Sequence, residues 1–204
     1  MTLKNVKLSL DKITKTLSTT QDSREFLLKN TREIIILCSE SIIAVHKGEL
    51  TIAKNNLKQA DILLKKYKKK ATGQLRNYLV TPEQEFVEAA CLIAIVEKKN
   101  IPSDKKLAVM PESYILGLLD CIGELKRRVF DEMRVGNIEK AVKFFEIMEA
   151  LYLQLYTFSL YDKVVKEARR KIDVNRILVE DVRSAITEEK RRTELIKALK
   201  KLEK

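Results

Sequence analysis

Apolar positions recur at three-to-four spacing along almost the whole chain, which is the mark of amphipathic helices. Over 3–47, Val6, Leu8, Leu10, Ile13 and Leu17 are followed, after the polar stretch TTQDS, by Phe26, Leu27, Ile34, Ile35, Leu37 and Cys38. That pattern predicts one long helix or two nearly collinear ones, stopped at Gly48. A second helix is expected over about 50–71, with Leu50, Ala53, Leu57, Ala60, Leu63 and Leu64 on one face. Thr81, Pro82 and Gln84 read as a helix start, combining a hydroxyl cap, a proline at the first position and a capping-box partner. This third helix should last to about Lys98, where KKNIPSDKK forms the clearest loop. Another runs from Pro111 to about Arg134, and Gly136 with Asn137 supplies its stop and the next cap. The aromatic and leucine-rich run from Ile138 to Tyr161 follows. The remainder keeps helical spacing, with a break expected near Thr187.

Composition narrows the fold. With 5 Gly and 3 Pro in 204 residues, the chain holds too little turn chemistry for a β-sandwich or an α/β protein. The expectation is an all-α, single-domain antiparallel bundle of about seven helices over 1–186, with a charged helical extension over 187–204. No internal repeat is visible. No apolar run reaches the roughly 18 residues of a membrane span, and the N-terminus lacks the apolar core of a signal peptide, so a cytoplasmic home without membrane contact is expected. Cys38, Cys91 and Cys121 are odd in number and set in apolar runs, which suits reduced, buried packing residues.

Charge suggests a partner. The 40 Lys and Arg outnumber 29 Asp and Glu, and eight basic residues between Lys54 and Arg76 face a single acid, Asp61. Such a patch attracts polyanions and reads no base sequence; its plainer reading is a solvated helix end. No RNP motif, zinc finger or glycine-rich phosphate loop is present. His46, the only histidine, is expected to be partly exposed near helix-end carbonyls, so any hydrolytic chemistry must rest on carboxylates.

Four acids stand in apolar company. Glu85 and Glu88 lie three apart in EQEFVEAACLIAIV, and Asp120 and Glu124 four apart in YILGLLDCIGEL. A helix apolar nearly all round is buried, where an unpaired charge is costly. Two resolutions are open. Arg24, Arg32, Arg127 or Arg128 neutralise the acids, or the acids converge on a divalent cation, in which case all-oxygen ligation favours Mg²⁺ or Mn²⁺.

Several segments also resemble the translin superfamily: DSREFLLKNTREII at 22–35 with AVHKGE at 44–49, and KIDVNRILVEDVRSAI at 171–186. QEFVEA at 84–89 and PESYILGLLDCIGELKR at 111–127 resemble the acidic motifs of its Trax branch. The resemblance implies a seven-helix fold, a hollow homo-oligomer of about eight subunits, and binding of single-stranded RNA and of single-stranded DNA. It also implies Mg²⁺-dependent endoribonuclease activity, with Glu85, Glu88, Asp120 and Glu124 as the catalytic, metal-holding acids. Arg24, Arg32, Lys65, Lys66, Lys68, Lys69 and Lys70 are the basic residues expected to guide the phosphate backbone. No long insertion separates the two acidic helices, which suits a minimal, single-component member. The alternative is a non-catalytic scaffold that binds single-stranded nucleic acid.

Overall fold

The computed structural model describes residues 3–202; the first two and last two positions of the expected domain and extension lie outside them. It contains seven helices and, among the described residues, no strand: α1 (Lys4–His46), α2 (Leu50–Lys68), α3 (Val80–Val96), α4 (Asp104–Leu107), α5 (Pro111–Arg134), α6 (Ile138–Leu155) and α7 (Ala168–Leu202). Short 3-10 segments, Gly73–Leu79 and Tyr156–Tyr161, precede α3 and follow α6.

α1 is one unbroken helix. Its threonines fold back into it, Thr16, Thr19 and Thr20 each donating to the carbonyl four residues earlier at 3.1, 3.0 and 2.9 Å, so the polar stretch does not interrupt the spiral. Only its second half joins the core, through Leu27, Ile34, Cys38, Ile42 and Val45. Val6, Leu10, Ile13 and Leu17, all on the expected apolar stripe, are exposed. The break expected near Thr187 is absent, because the Thr187 hydroxyl donates to the Arg183 carbonyl at 2.8 Å and stays within the helix. Ile186 is the last buried residue of α7.

The expected Thr81 cap is also corrected. The 3-10 segment feeds directly into α3, which starts at Val80, so Thr81 lies exposed inside the first turn and makes no cap hydrogen bond. Pro82 still falls in that turn, where its missing N–H costs nothing. The aromatic run likewise stops being α-helical at Leu155 and tightens into 3-10 turns.

Burial sets the plan. α3 is buried continuously from Phe86 to Ile95, as a helix apolar on all sides must be. It packs between α1 and α5, and α5 in turn meets α6 and α7. The α3–α5 contact is unusually close at Gly117, where an added methyl carbon would stand 2.5 Å from the Gln84 carbonyl oxygen and 2.6 Å from Val87 Cβ. One turn further along each helix come Glu88 and Asp120.

Gly117→Ala therefore opposes two effects. Helix propensity favours alanine by about 1 kcal/mol. Overpacking against backbone and a β-branched side chain costs about 1–3 kcal/mol or more and wins. Denaturant titration should show Gly117→Ala destabilised by about 2 kcal/mol. Gly123→Ala, on the same helix with nothing within 4 Å, should gain up to about 1 kcal/mol. Equal effects at the two glycines would refute the close crossing.

Candidate active site

Three glutamates are buried in the core, and they differ in company. Glu83, 2% exposed, accepts from the Met110 N–H at 2.8 Å and pairs with Lys68 at 3.0 Å. Glu132 pairs with Arg128 and Lys140, both at 2.8 Å. Burial alone would raise its pKa, yet the Lys140 and Asn137 hydrogen bonds and the Arg128 charge hold it below the usual carboxylate range. Both follow the rule that a buried charge is paired. Glu88 does not.

No lysine or arginine pairs with Glu88 among the described residues. Burial, followed by the charges of Asp120, Glu85 and Glu124, pushes its carboxyl from the usual 4.5 up to about 9, against a smaller lowering by Lys171. Glu85 is raised too, first by burial and then by Asp120. The four acids singled out by sequence thus fall within Coulombic reach of one another, two from α3 and two from α5. The crossing at Gly117 brings them there.

The partners of these acids are not those expected. Arg24 lies over the Tyr78 ring and donates to its hydroxyl at 2.9 Å, Arg32 is exposed, and Arg128 serves Glu132. The cation at the site is Lys171 of α7, whose ammonium donates to Asp120 Oδ1, while Gln84 Nε2 donates to Oδ2 at 2.5 Å. His46, expected to be partly exposed, has a side chain only 4% accessible. Its Nε2 donates to Glu124 Oε2 at 2.5 Å, and Nδ1 faces Asp131 at 3.6 Å. It ends α1 with its ring turned inward, so α1, α3, α5 and α7 all contribute to one site.

The sequence reading misses both residues, although each carries a signal in the apolar stripe of its helix. Lys171 lies on the α7 stripe between Ala168 and Asn175, and Asn175 is itself buried, donating to the Leu119 carbonyl at 2.8 Å. His46 follows Ile42 by four positions on the buried face of α1. A polar residue on such a stripe is the informative exception. The three cysteines are free and buried beneath the acids, as expected. Burial first, then neighbouring glutamates, raises the Cys38 and Cys91 thiols, Cys91 to about 12, so they stay protonated.

The basic candidates divide. Lys68 reaches inward to Glu83 and the Ala108 carbonyl, and so supports the fold. Lys65 pairs with Asp61 at 2.6 Å, and Lys70 stands 4.9 Å over the Phe26 ring. Lys66 and Lys69 are exposed at the end of α2.

By donor chemistry the four carboxylates suit a hard dication, which would offset both the burial and the repulsion that raise the Glu88 pKa. Their present arrangement is not preassembled for one. Asp120 is engaged by Gln84 and Lys171, Glu124 by His46, and no three His, Cys, Asp or Glu side chains among the described residues are grouped so that they could hold a metal ion. Cation entry would require the Lys171 ammonium to yield Asp120.

Glu88 imposes a pH dependence. Its folded-state pKa lies above the unfolded value, so the folded chain retains a proton that the unfolded chain loses, and stability falls as pH rises from about 4.5 towards 9. Glu88→Gln, which keeps the shape of the protonated acid, removes that slope. In metal-free buffer the variant should melt about 3 °C or more above the parent at pH 8 and within about 1 °C of it at pH 4.5. A difference independent of pH would refute the buried, proton-bearing carboxyl.

Comparison with known proteins places the chain and its fold. AfC3PO has a closely similar structure, with a TM-score of 0.82 and 32% identity over 89% of this chain and 97% of that one. A second structure, described as an AfC3PO–duplex RNA complex, matches with a TM-score of 0.80 at 31% identity, over 89% and 96% of the two chains. Apo-NeC3PO shares the fold at a TM-score of 0.78 and 23% identity, over 88% and 96%. An uncharacterized protein of Methanocaldococcus jannaschii is 41% identical over 160 residues, 77% of this chain and 72% of the relative. The translin family pattern matches residues 9–186, ending at the last buried residue of α7, and the chain belongs to the translin family.

Proposed function

We propose that this chain is an RNA-binding member of the family with Mg²⁺-dependent endoribonuclease activity, of the Trax-like kind, acting on single-stranded RNA within a homo-oligomer. One observation carries the reading: Glu88 is buried among three other carboxylates without the lysine or arginine that accompanies Glu83 and Glu132. A fold that places cations beside its structural acids leaves this group short of positive charge. RNA binding rests on the likeness to AfC3PO, described in complex with duplex RNA, and on the formal charge of +11. The exposed apolar positions of α1, such as Leu10, Ile13 and Leu17, support self-association.

Glu85, Glu88, Asp120 and Glu124 would hold Mg²⁺ or Mn²⁺, which would polarise a phosphodiester and lower the pKa of a water. The chain's own groups prepare the site. Gln84 orients Asp120, Lys171 occupies its other oxygen until a cation enters, and His46 holds the Glu124 carboxylate. The carboxylates provide the site for the water's proton; they titrate together, so the acceptor is the cluster. Exposed Lys66 and Lys69 would guide the phosphate backbone without reading sequence.

A second reading has its own support. Asp120 is already paired with Lys171, which suits a non-catalytic binding protein whose acids are structural. Incubating labelled single-stranded and duplex RNA with protein, with Mg²⁺ or EDTA, separates the two. The nuclease reading expects shortening of single strands in Mg²⁺ only, reduced about 100-fold or more in Asp120→Asn and Glu88→Gln while RNA is still bound. Strands shifted but never shortened would establish the scaffold reading instead.

A further inference from the structure

A cleft of about 400 Å³ opens beside the acids, lined by the start of α3, the first turns of α5 and the segment leading into α7. Its size lies within the range of about 300–1,000 Å³ typical of small-molecule sites. Two of its lining residues, Gln84 and Lys171, are the ones that hold Asp120, so its inner end adjoins the carboxylate cluster. Apolar Val80, Leu116 and Val164 line it, together with Asn77, Lys166 and Glu112.

These groups form a mixed surface with separate tasks. The Lys171 ammonium has three N–H donors and gives one to Asp120, leaving two for an anion. Lys166 is exposed and has no ion-pair partner among the described residues. Of the two acids in the lining, Glu167 is turned to Arg170 at 2.7 Å. Glu112 has no ion-pair partner among the described residues, and its carboxylate accepts only. An apolar lining, an amide, one acceptor and two ammonium groups match the parts of one nucleotide: the face of the base, its polar edge and its phosphate.

We infer that this cleft is a nucleotide subsite, which takes the unit of an RNA strand next to the phosphate presented to the acids. The base lies along Val80, Leu116 and Val164, and the phosphate lies between Lys166 and Lys171. Glu112 accepts from the exocyclic amine of the base. Adenine, cytosine and guanine carry such an amine; uracil does not. The subsite therefore disfavours uridine. The assignment rests on the nuclease reading for the chemistry next door, and its own content is a binding site.

The test uses the full-length protein in EDTA with cytidine and uridine 5′-monophosphates as probes, followed by NMR on labelled protein. Cytidine monophosphate should shift the resonances of Asn77, Thr81 and Val164 and bind about tenfold more tightly than uridine monophosphate. Lys166→Ala should weaken both nucleotides by about tenfold. Glu112→Ala should abolish the preference between them. Lys166 is exposed and Glu112 half-buried, and the spectrum itself reports whether each variant is folded. Val164→Glu, at a position 72% exposed, should block both probes by placing a carboxylate at the cleft. The proposal is overturned if neither nucleotide shifts cleft resonances, or if the preference survives Glu112→Ala. RNA cut in Mg²⁺ by a protein whose cleft ignores the nucleotides would remove the subsite alone. Nucleotides bound in the cleft of a protein that never cuts RNA would remove the nuclease reading and leave the subsite.

Discussion

The structure turns on the close passage of α3 over α5 at Gly117. An alanine methyl there would meet the Gln84 carbonyl oxygen and Val87 at distances no side chain tolerates, so the two helices can approach this far only because the residue is glycine. Glu85 and Glu88 lie on one side of this crossing, Asp120 and Glu124 on the other. Wider spacing would admit a side chain or solvent between the pairs and dissolve their mutual repulsion. The acid cluster is thus a consequence of helix packing, and its cost is borne by the large apolar interface on which both helices are already buried.

That cost is visible in the protonation of the cluster. A lone carboxyl in an apolar core is neutralised by a proton, by a cationic side chain or by a metal ion. All three resolutions touch this site. Glu88 takes the proton, Asp120 takes the Lys171 ammonium, and the donor set as a whole suits a dication. Lys171 is therefore more than a structural partner. It offsets part of the repulsion among the acids, and it is the group whose withdrawal would open Asp120 to another cation. Lys171 also lines the neighbouring cleft, so a phosphate bound there would offer its ammonium an alternative anion.

Much of this was legible in the sequence. The seven-helix all-α fold follows from helical periodicity and scarce turn residues, and the acids Glu88 and Asp120 stood out because their neighbours are apolar. Other features depend on tertiary context. The exposure of Val6, Leu10 and Ile13 could not be read from a stripe that looks identical to a buried one. The extension of helix through Thr187 and through the TTQDS stretch depends on hydroxyls bonding back to carbonyls, which propensity treats as a penalty. The cations of the site differ from the arginines that the sequence suggests, because arginine count and proximity in sequence say little about which helix faces which. Lys171 lies 51 positions from Asp120 and His46 78 from Glu124. Lys68, whose place in a lysine run suggests a phosphate contact, reaches instead into the core to balance Glu83.

The central claim is that α3 and α5 gather carboxylates for a hard cation. Its most direct test is an anomalous difference map from a crystal soaked in Mn²⁺. The account predicts a peak between the two helices, about 2.0–2.3 Å from carboxylate oxygens of both, with the Lys171 ammonium drawn away from Asp120. A map without density there at saturating Mn²⁺, in which Lys171 still holds Asp120, would contradict it.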